Sequence, residues 1–213
     1  MRSSVRVTKA VVFVAALLPL ARLLVLGFAN QLGANPVEFV TRSTGTWTLV
    51  MLLVTLSVTP LRVLSGFSSL AALRRMLGLF AFFYATLHLM TFVWFEHWFN
   101  LAEMLTDVLK RPFVTAGMAA YLLMSALAAT STNAMIRRLG RRWQALHRLV
   151  YVIAALGVLH LWWAKAGKND LAQPRIYALV VALLLAFRIV QYARRRRARA
   201  RLQSSGGKRS SSA

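Results

Sequence analysis

Apolar residues in this chain run almost unbroken for about twenty positions at a time, six times over, at 10–28, 45–64, 75–95, 112–131, 146–164 and 174–192. A helix of twenty residues rises about 30 Å, the thickness of a bilayer's hydrocarbon core. In lipid every backbone N–H and C=O has to be paired within the protein, so each run predicts a transmembrane helix. The set predicts an all-α membrane protein, a six-transmembrane-helix bundle with both ends of the chain on one side. One connector, 96–111, keeps a helical pattern of its own: Trp98, Leu101, Leu105, Val108 and Leu109 share one face, and Glu103, Asp107 and Lys110 share another. That is the signature of an amphipathic helix lying in the outer interface. The first connector carries the turn-forming Gly33-Ala34-Asn35-Pro36, then Glu38 and Arg42 one helical turn apart. We find no internal repeat. The expected organisation is a cytoplasmic N-terminus at 1–9, one transmembrane domain at 10–193, and a basic, disordered cytoplasmic tail at 194–213.

Composition agrees with the pattern: 58% of the 213 residues are hydrophobic, more than an ordinary soluble domain carries. Arg2, Arg6 and Lys9 precede the first run, which raises a cleavable signal peptide; the run is longer than a typical signal core and no small-residue cleavage site follows it, so a retained helix is expected. The distribution of the +22 net charge gives orientation. With the N-terminus inside, nineteen of the 27 Lys and Arg fall in or beside the N-terminus, the second and fourth connectors and the C-terminal segment. All five acidic residues, Glu38, Glu96, Glu103, Asp107 and Asp170, fall outside. The positive-inside bias therefore predicts an N-in, C-in topology. Beside a transmembrane helix, the Arg194-to-Arg197 run meets anionic headgroups, and no nucleic-acid partner is expected.

The chain has no cysteine, which excludes disulfides, cysteine-ligated iron–sulfur clusters and covalent c-type haem attachment. Any redox centre has to be held by histidine or by noncovalent contacts. His88 lies about thirteen residues into the third run from the inside, His160 at matching depth in the fifth, and His147 near the inner end of that fifth run. Ionisable side chains inside lipid are costly without partners, so each is a functional candidate. Two neutral imidazoles at one depth on two helices suit the axial positions of a low-spin haem iron. His147 has Arg74 opposite it at the inner depth, and this spacing is compatible with one haem or with two. Arg74 then neutralises a haem propionate, marks the inner face, or serves as an unusual ligand. The competing readings are structural histidines, a histidine-relay transporter and a cofactor-free anchor. His97, beside Glu96 and Trp98, is expected at the outer edge.

Four stretches resemble the MsrQ (YedZ) family, which is related to the ferric-reductase-like transmembrane domain: Gly33-Ala34-Asn35-Pro36-Val37-Glu38, Thr41-Arg42-Ser43-Thr44-Gly45-Thr46-Trp47, Arg74-Arg75-Met76-Leu77-Gly78, and the block from Leu139-Gly140-Arg141-Arg142-Trp143 through His147-Arg148-Leu149-Val150-Tyr151. The resemblance covers nearly everything from Thr8 to Tyr192. It implies a bacterial inner-membrane subunit that binds b-type haem, also uses FMN, and passes electrons from the quinone pool or a reduced flavin to the periplasmic molybdopterin methionine sulfoxide reductase MsrP, its heterodimer partner, for repair of oxidised proteins. His88, His147 and His160 fall at the family's haem histidines. Ferric reductases carry two histidines on each of two helices, whereas Arg74 stands here in place of the fourth, which puts a conventional second bis-histidine haem in doubt. A cytochrome b561-type quinol oxidoreductase with another acceptor is the nearest alternative. The chain has no Gly-rich dinucleotide fingerprint and no nucleophile elbow, so donor and catalytic acceptor are expected on other molecules.

Overall fold

Every predicted span is helical in the computed structural model, which describes residues 2–167 and 170–210. The α-helices are α1 (Arg2–Phe28), α2 (Pro36–Ser65), α3 (Arg74–Thr91), α4 (Leu101–Lys110), α5 (Pro112–Ala129), α6 (Asn133–Leu139), α7 (Arg141–Leu146), α8 (Val150–Ala166) and α9 (Ala172–Ser210). Six helical stretches are long and apolar enough to cross a membrane, and no strand occurs among the described residues. Local chemistry sets the boundaries. Asn35 caps α2 by accepting from the Glu38 N–H at 3.1 Å, with Pro36 in the first turn, where its missing N–H is not needed. Gly66, at φ 73°, closes the same helix in the left-handed region.

The antiparallel pair α2 and α3 packs beside the pair α5 and α8, and the seams between them hold the core: Leu52, Leu56, Phe80, Ala81, Ile153 and Ala154 are all buried. Helices α1 and α9 lie outside this four-helix body and expose Leu18, Leu24, Leu179 and Leu183, as lipid-facing helices do. α1 carries Pro19, which cannot donate a hydrogen bond and disturbs the helical ladder around it. Tyr84 repairs the break. Its fully buried hydroxyl donates to the Ala16 carbonyl at 2.7 Å and accepts from the Leu20 N–H at 3.3 Å.

The outer connector is more ordered than its pattern alone requires. α3 runs into a π-helical turn at Phe92–Glu96, and the chain then reverses through Trp98 and Phe99 at φ 46° and 64°, a region bulky residues seldom occupy. α4 follows as the expected amphipathic helix, with Leu101, Leu105 and Leu109 at 77, 61 and 75% exposure forming its outward apolar stripe. His97, expected at the outer edge, is buried between the Phe92 ring (4.5 Å between centroids) and α4, with its Nε2 3.3 Å from Asp107 Oδ2. At the other end of the chain, α9 runs from Ala172 to Ser210 and covers most of the stretch expected as a basic tail from 194 onward. Arginine and alanine are good helix formers, and their run at 194–201 continues a helix already nucleated in the span. Residues 211–213 of that expected tail lie outside the described residues.

Candidate functional site

His88 comes from the last turn of α3 and His160 from the middle of α8, and the bundle brings them together with ring centroids 5.9 Å apart and ring planes at 78°. Each ring is oriented by a carbonyl on a third and fourth helix. His88 Nδ1 donates to the Thr41 carbonyl of α2 at 3.0 Å, and His160 Nδ1 donates to the Phe113 carbonyl of α5 at 2.7 Å. A carbonyl only accepts, so both Nδ1 atoms carry the hydrogen, and in the neutral imidazole Nε2 then keeps its lone pair. This is the arrangement in which protein histidines bind metals, one nitrogen fixed by a backbone acceptor and the other free to coordinate.

The two halves use the same local device. Four residues after Thr41 stands Gly45, and four after Phe113 stands Gly117, so each imidazole lies over a glycine and reaches the carbonyl one turn earlier. A Cβ on Gly45 would stand 3.0 Å from His88 Cε1, and one on Gly117 would stand 2.8 Å from His160 Nδ1. Only glycine leaves room for these rings. Both histidines line a cavity of about 520 Å³ between α2, α3, α5 and α8, walled by Leu49, Phe92, Met118 and Tyr121 and rimmed by Glu38, Arg42 and Lys165. Its volume is that of a cofactor pocket. Thr41 Oγ1, on the same wall, is buried without a hydrogen-bond partner. Asn35 and Glu38 belong both to the α2 cap and to this rim, and Arg42 pairs with Glu38 at 2.5 Å. Outside the spans, the Lys165 ammonium, hydrogen-bonded to Asp170 at 2.5 Å, holds that carboxyl below the usual carboxylate range.

The structure does not bring His147 into this cavity. It sits in a short 3₁₀ turn at the inner end, stacked on Trp143 with centroids 3.9 Å apart, its Nδ1 donating to the Trp143 carbonyl at 3.2 Å and its Nε2 3.5 Å from Ser131 Oγ. Trp143 in turn donates to the Thr130 carbonyl at 2.9 Å, so this group fastens the fourth connector to the end of α5. Arg74 is also apart from the cavity: it opens α3, and His88 lies roughly 21 Å further along the same axis. Its guanidinium donates to Thr59 Oγ1, and the guanidinium of Arg188, from α9, donates to the same oxygen. Two guanidinium nitrogens on one oxygen lie within about 6 Å of each other, where like charges repel by about 3 kcal/mol in an effective dielectric of about 20. Sequence reasoning found the histidine pair and missed Gly45, Gly117 and the Arg188 contact. A glycine inside an apolar span, where small residues mark close approach, was the available signal for the first two.

Known proteins place the chain. The model of the ferric reductase like transmembrane component matches residues 44–158. The protein-methionine-sulfoxide reductase heme-binding subunit MsrQ of Herminiimonas arsenicoxydans is 60% identical over 182 residues, covering 85% of this chain and 84% of that one. Its counterpart in Bordetella pertussis is 58% identical over 188 residues (88% and 91%), and that of Rhodospirillum rubrum is 48% identical over 193 residues (90% and 92%). No solved structure matches. Identity of this degree along nearly the whole of both chains is family membership: the chain belongs to the MsrQ family, on a ferric reductase like transmembrane scaffold.

Proposed function

We propose that this protein is the b-type haem electron-transfer subunit of a bacterial inner-membrane methionine sulfoxide repair system, with His88 and His160 as the axial ligands of the haem iron. The observation that carries the reading is the histidine pair: two imidazoles from two helices, each with Nδ1 held by a carbonyl and both lining one apolar cavity. Two histidines are too few to hold a bare ion, and no group of three or more His, Asp and Glu residues forms a metal site among the described residues. A porphyrin brings four nitrogens of its own and needs only the axial pair. Centroids 5.9 Å apart suit two rings that each offer one nitrogen to a shared metal at about 2 Å. The glycines at 45 and 117 are a cradle that a Cβ would fill, and Arg42 and Lys165, paired with Glu38 and Asp170, are the cations at the rim. When bound, the haem carries one electron at a time between donor and acceptor.

In this reading electrons enter from the quinone pool or a reduced flavin and leave at the outer face to the periplasmic molybdopterin partner MsrP, as a heterodimer. Family resemblance supports the quinone, the FMN and the partner; the site geometry supports the haem. His88 and His160 lie toward the outer leaflet under the positive-inside assignment, the side on which such an acceptor docks. The test is a dithionite-reduced minus oxidised spectrum of the purified protein with pyridine haemochrome quantitation, followed by mixing with purified MsrP. We expect one b-type haem per chain and its reoxidation by MsrP in the presence of methionine sulfoxide. Two equivalents would place a second haem at His147 with Arg74 opposite. A protein without haem from haem-supplied cells overturns the reading.

A further inference from the structure

We propose that Glu96 is the proton-exchanging group of the histidine cavity, a role that rests on the haem reading. It takes up a proton from the outer side when the centre between His88 and His160 is reduced and releases it on reoxidation. Glu96 lines two cavities at once. One is the 520 Å³ cavity shared by His88 and His160, and the other, of about 370 Å³, lies at the outer end and is walled by His97, Glu103, Thr106, Asp107 and Arg111. Its side chain is exposed, and of the five carboxylates it alone makes no ion pair among the described residues. Its position comes from the turn that carries it. The π-helical turn at Phe92–Glu96 ends the third span, and the chain then reverses through the left-handed Trp98 and Phe99 with His97 buried against Phe92. Such turns and such backbone strain gather where a side chain has to be held for function.

An electron added to the centre leaves one more negative charge in a cavity walled by Leu49, Phe92 and Met118. Glu96 follows His88 by eight residues, roughly 12 Å along the helix, near enough for that charge to act through an apolar wall and too far to touch the ligand ring. A proton bound on its carboxylate offsets the charge, so one electron enters, one proton is taken from the outer water, and both leave again on reoxidation. By linkage, a proton that binds more tightly after reduction makes the potential rise as pH falls. The other groups that face Glu96 are already engaged. His97 on its own turn meets Asp107 of α4, and Arg111 before α5 pairs with the same carboxylate. Across the first cavity, Arg42 of α2 pairs with Glu38, Lys165 of α8 pairs with Asp170, the Tyr121 hydroxyl lies 3.4 Å from Thr86 Oγ1, and His88 and His160 donate to carbonyls. Glu103 lines the second cavity and not the first.

The test is a redox titration of the full-length, haem-loaded protein in detergent at a series of pH values between about 5 and about 8, for wild type, E96Q, E96D and E103Q. We expect the wild-type midpoint potential to fall as pH rises and E96Q to flatten that slope by about threefold or more. E96D keeps a carboxyl and should retain most of the slope. E103Q removes a neighbouring charge that faces only the second cavity, and should behave like wild type. A reduced-minus-oxidised infrared spectrum should show a carboxyl gaining a proton in wild type and not in E96Q. A wild-type potential independent of pH overturns the proposal without any variant, as does a slope unchanged in E96Q or lost equally in E103Q. Pyridine haemochrome quantitation separates the two assignments. A protein without haem overturns the axial pair and the role of Glu96 together, whereas haem at a pH-independent potential overturns the role of Glu96 alone.

Discussion

The outer and inner ends of the bundle each gather two basic side chains from separate helices, and the two pairs meet opposite demands. At the outer end, His88 and His160 each give one N–H to a carbonyl and line a cavity. At the inner end, the guanidinium groups of Arg74 and Arg188, donors only, both donate to the hydroxyl oxygen of Thr59. The first pair faces a cavity, and the second meets on one buried hydroxyl. His147 lies on the same transmembrane stretch as His160 but apart from the cavity, with its ring stacked on Trp143.

Six substitutions test this contrast. The largest effect is expected for His88→Ala or His160→Ala, each of which should cut haem content to below about a tenth of wild type, measured as pyridine haemochrome, because each removes one of two axial bonds. Wild-type content in both would break the assignment of the outer pair. Gly117→Ala should come next. Its Cβ would stand 2.8 Å from His160 Nδ1, so the ring has to move off the Phe113 carbonyl, and haem content should fall severalfold with a shifted reduced spectrum. Gly78→Ala, whose Cβ would meet nothing nearer than 3.8 Å, is the matched control and should retain haem. Tyr84→Phe should leave the site intact but lower stability by about 1–3 kcal/mol, read as thermal unfolding in detergent, by stripping partners from the backbone of α1. His147→Ala should change least: one haem per chain is retained, with a small loss of stability from the Trp143 stack. Loss of half of a two-haem signal would instead give the inner end its own iron.

Depth was legible in the sequence, and azimuth was not. Counting residues from the inner boundary put His88 and His160 at one level and His147 at another, and the structure joins the pair accordingly. The same count could not say which face of α9 carries Arg188, or that Thr59 would lie between it and Arg74, because a helix in lipid is apolar all round and its periodicity does not mark the packed side. The short helices α6 and α7 escaped notice for another reason. They are basic, brief and set by the Thr132 cap and by Gly140 at φ 49° rather than by any apolar stripe. The amphipathic helix α4, which does carry such a stripe, was read correctly from its pattern.

The Tyr84 hydroxyl also imposes an order in time. The ladder break at Pro19 is made when α1 is synthesised, but the group that mends it lies 64 residues beyond Leu20. At translation rates of about 5–20 residues per second, α1 waits on the order of several seconds, with two polar backbone groups lacking their final partner, before α3 arrives. The first helix to enter the membrane is thus completed only with the third, which brings both the Tyr84 hydroxyl and the Phe80 ring that packs on Phe13.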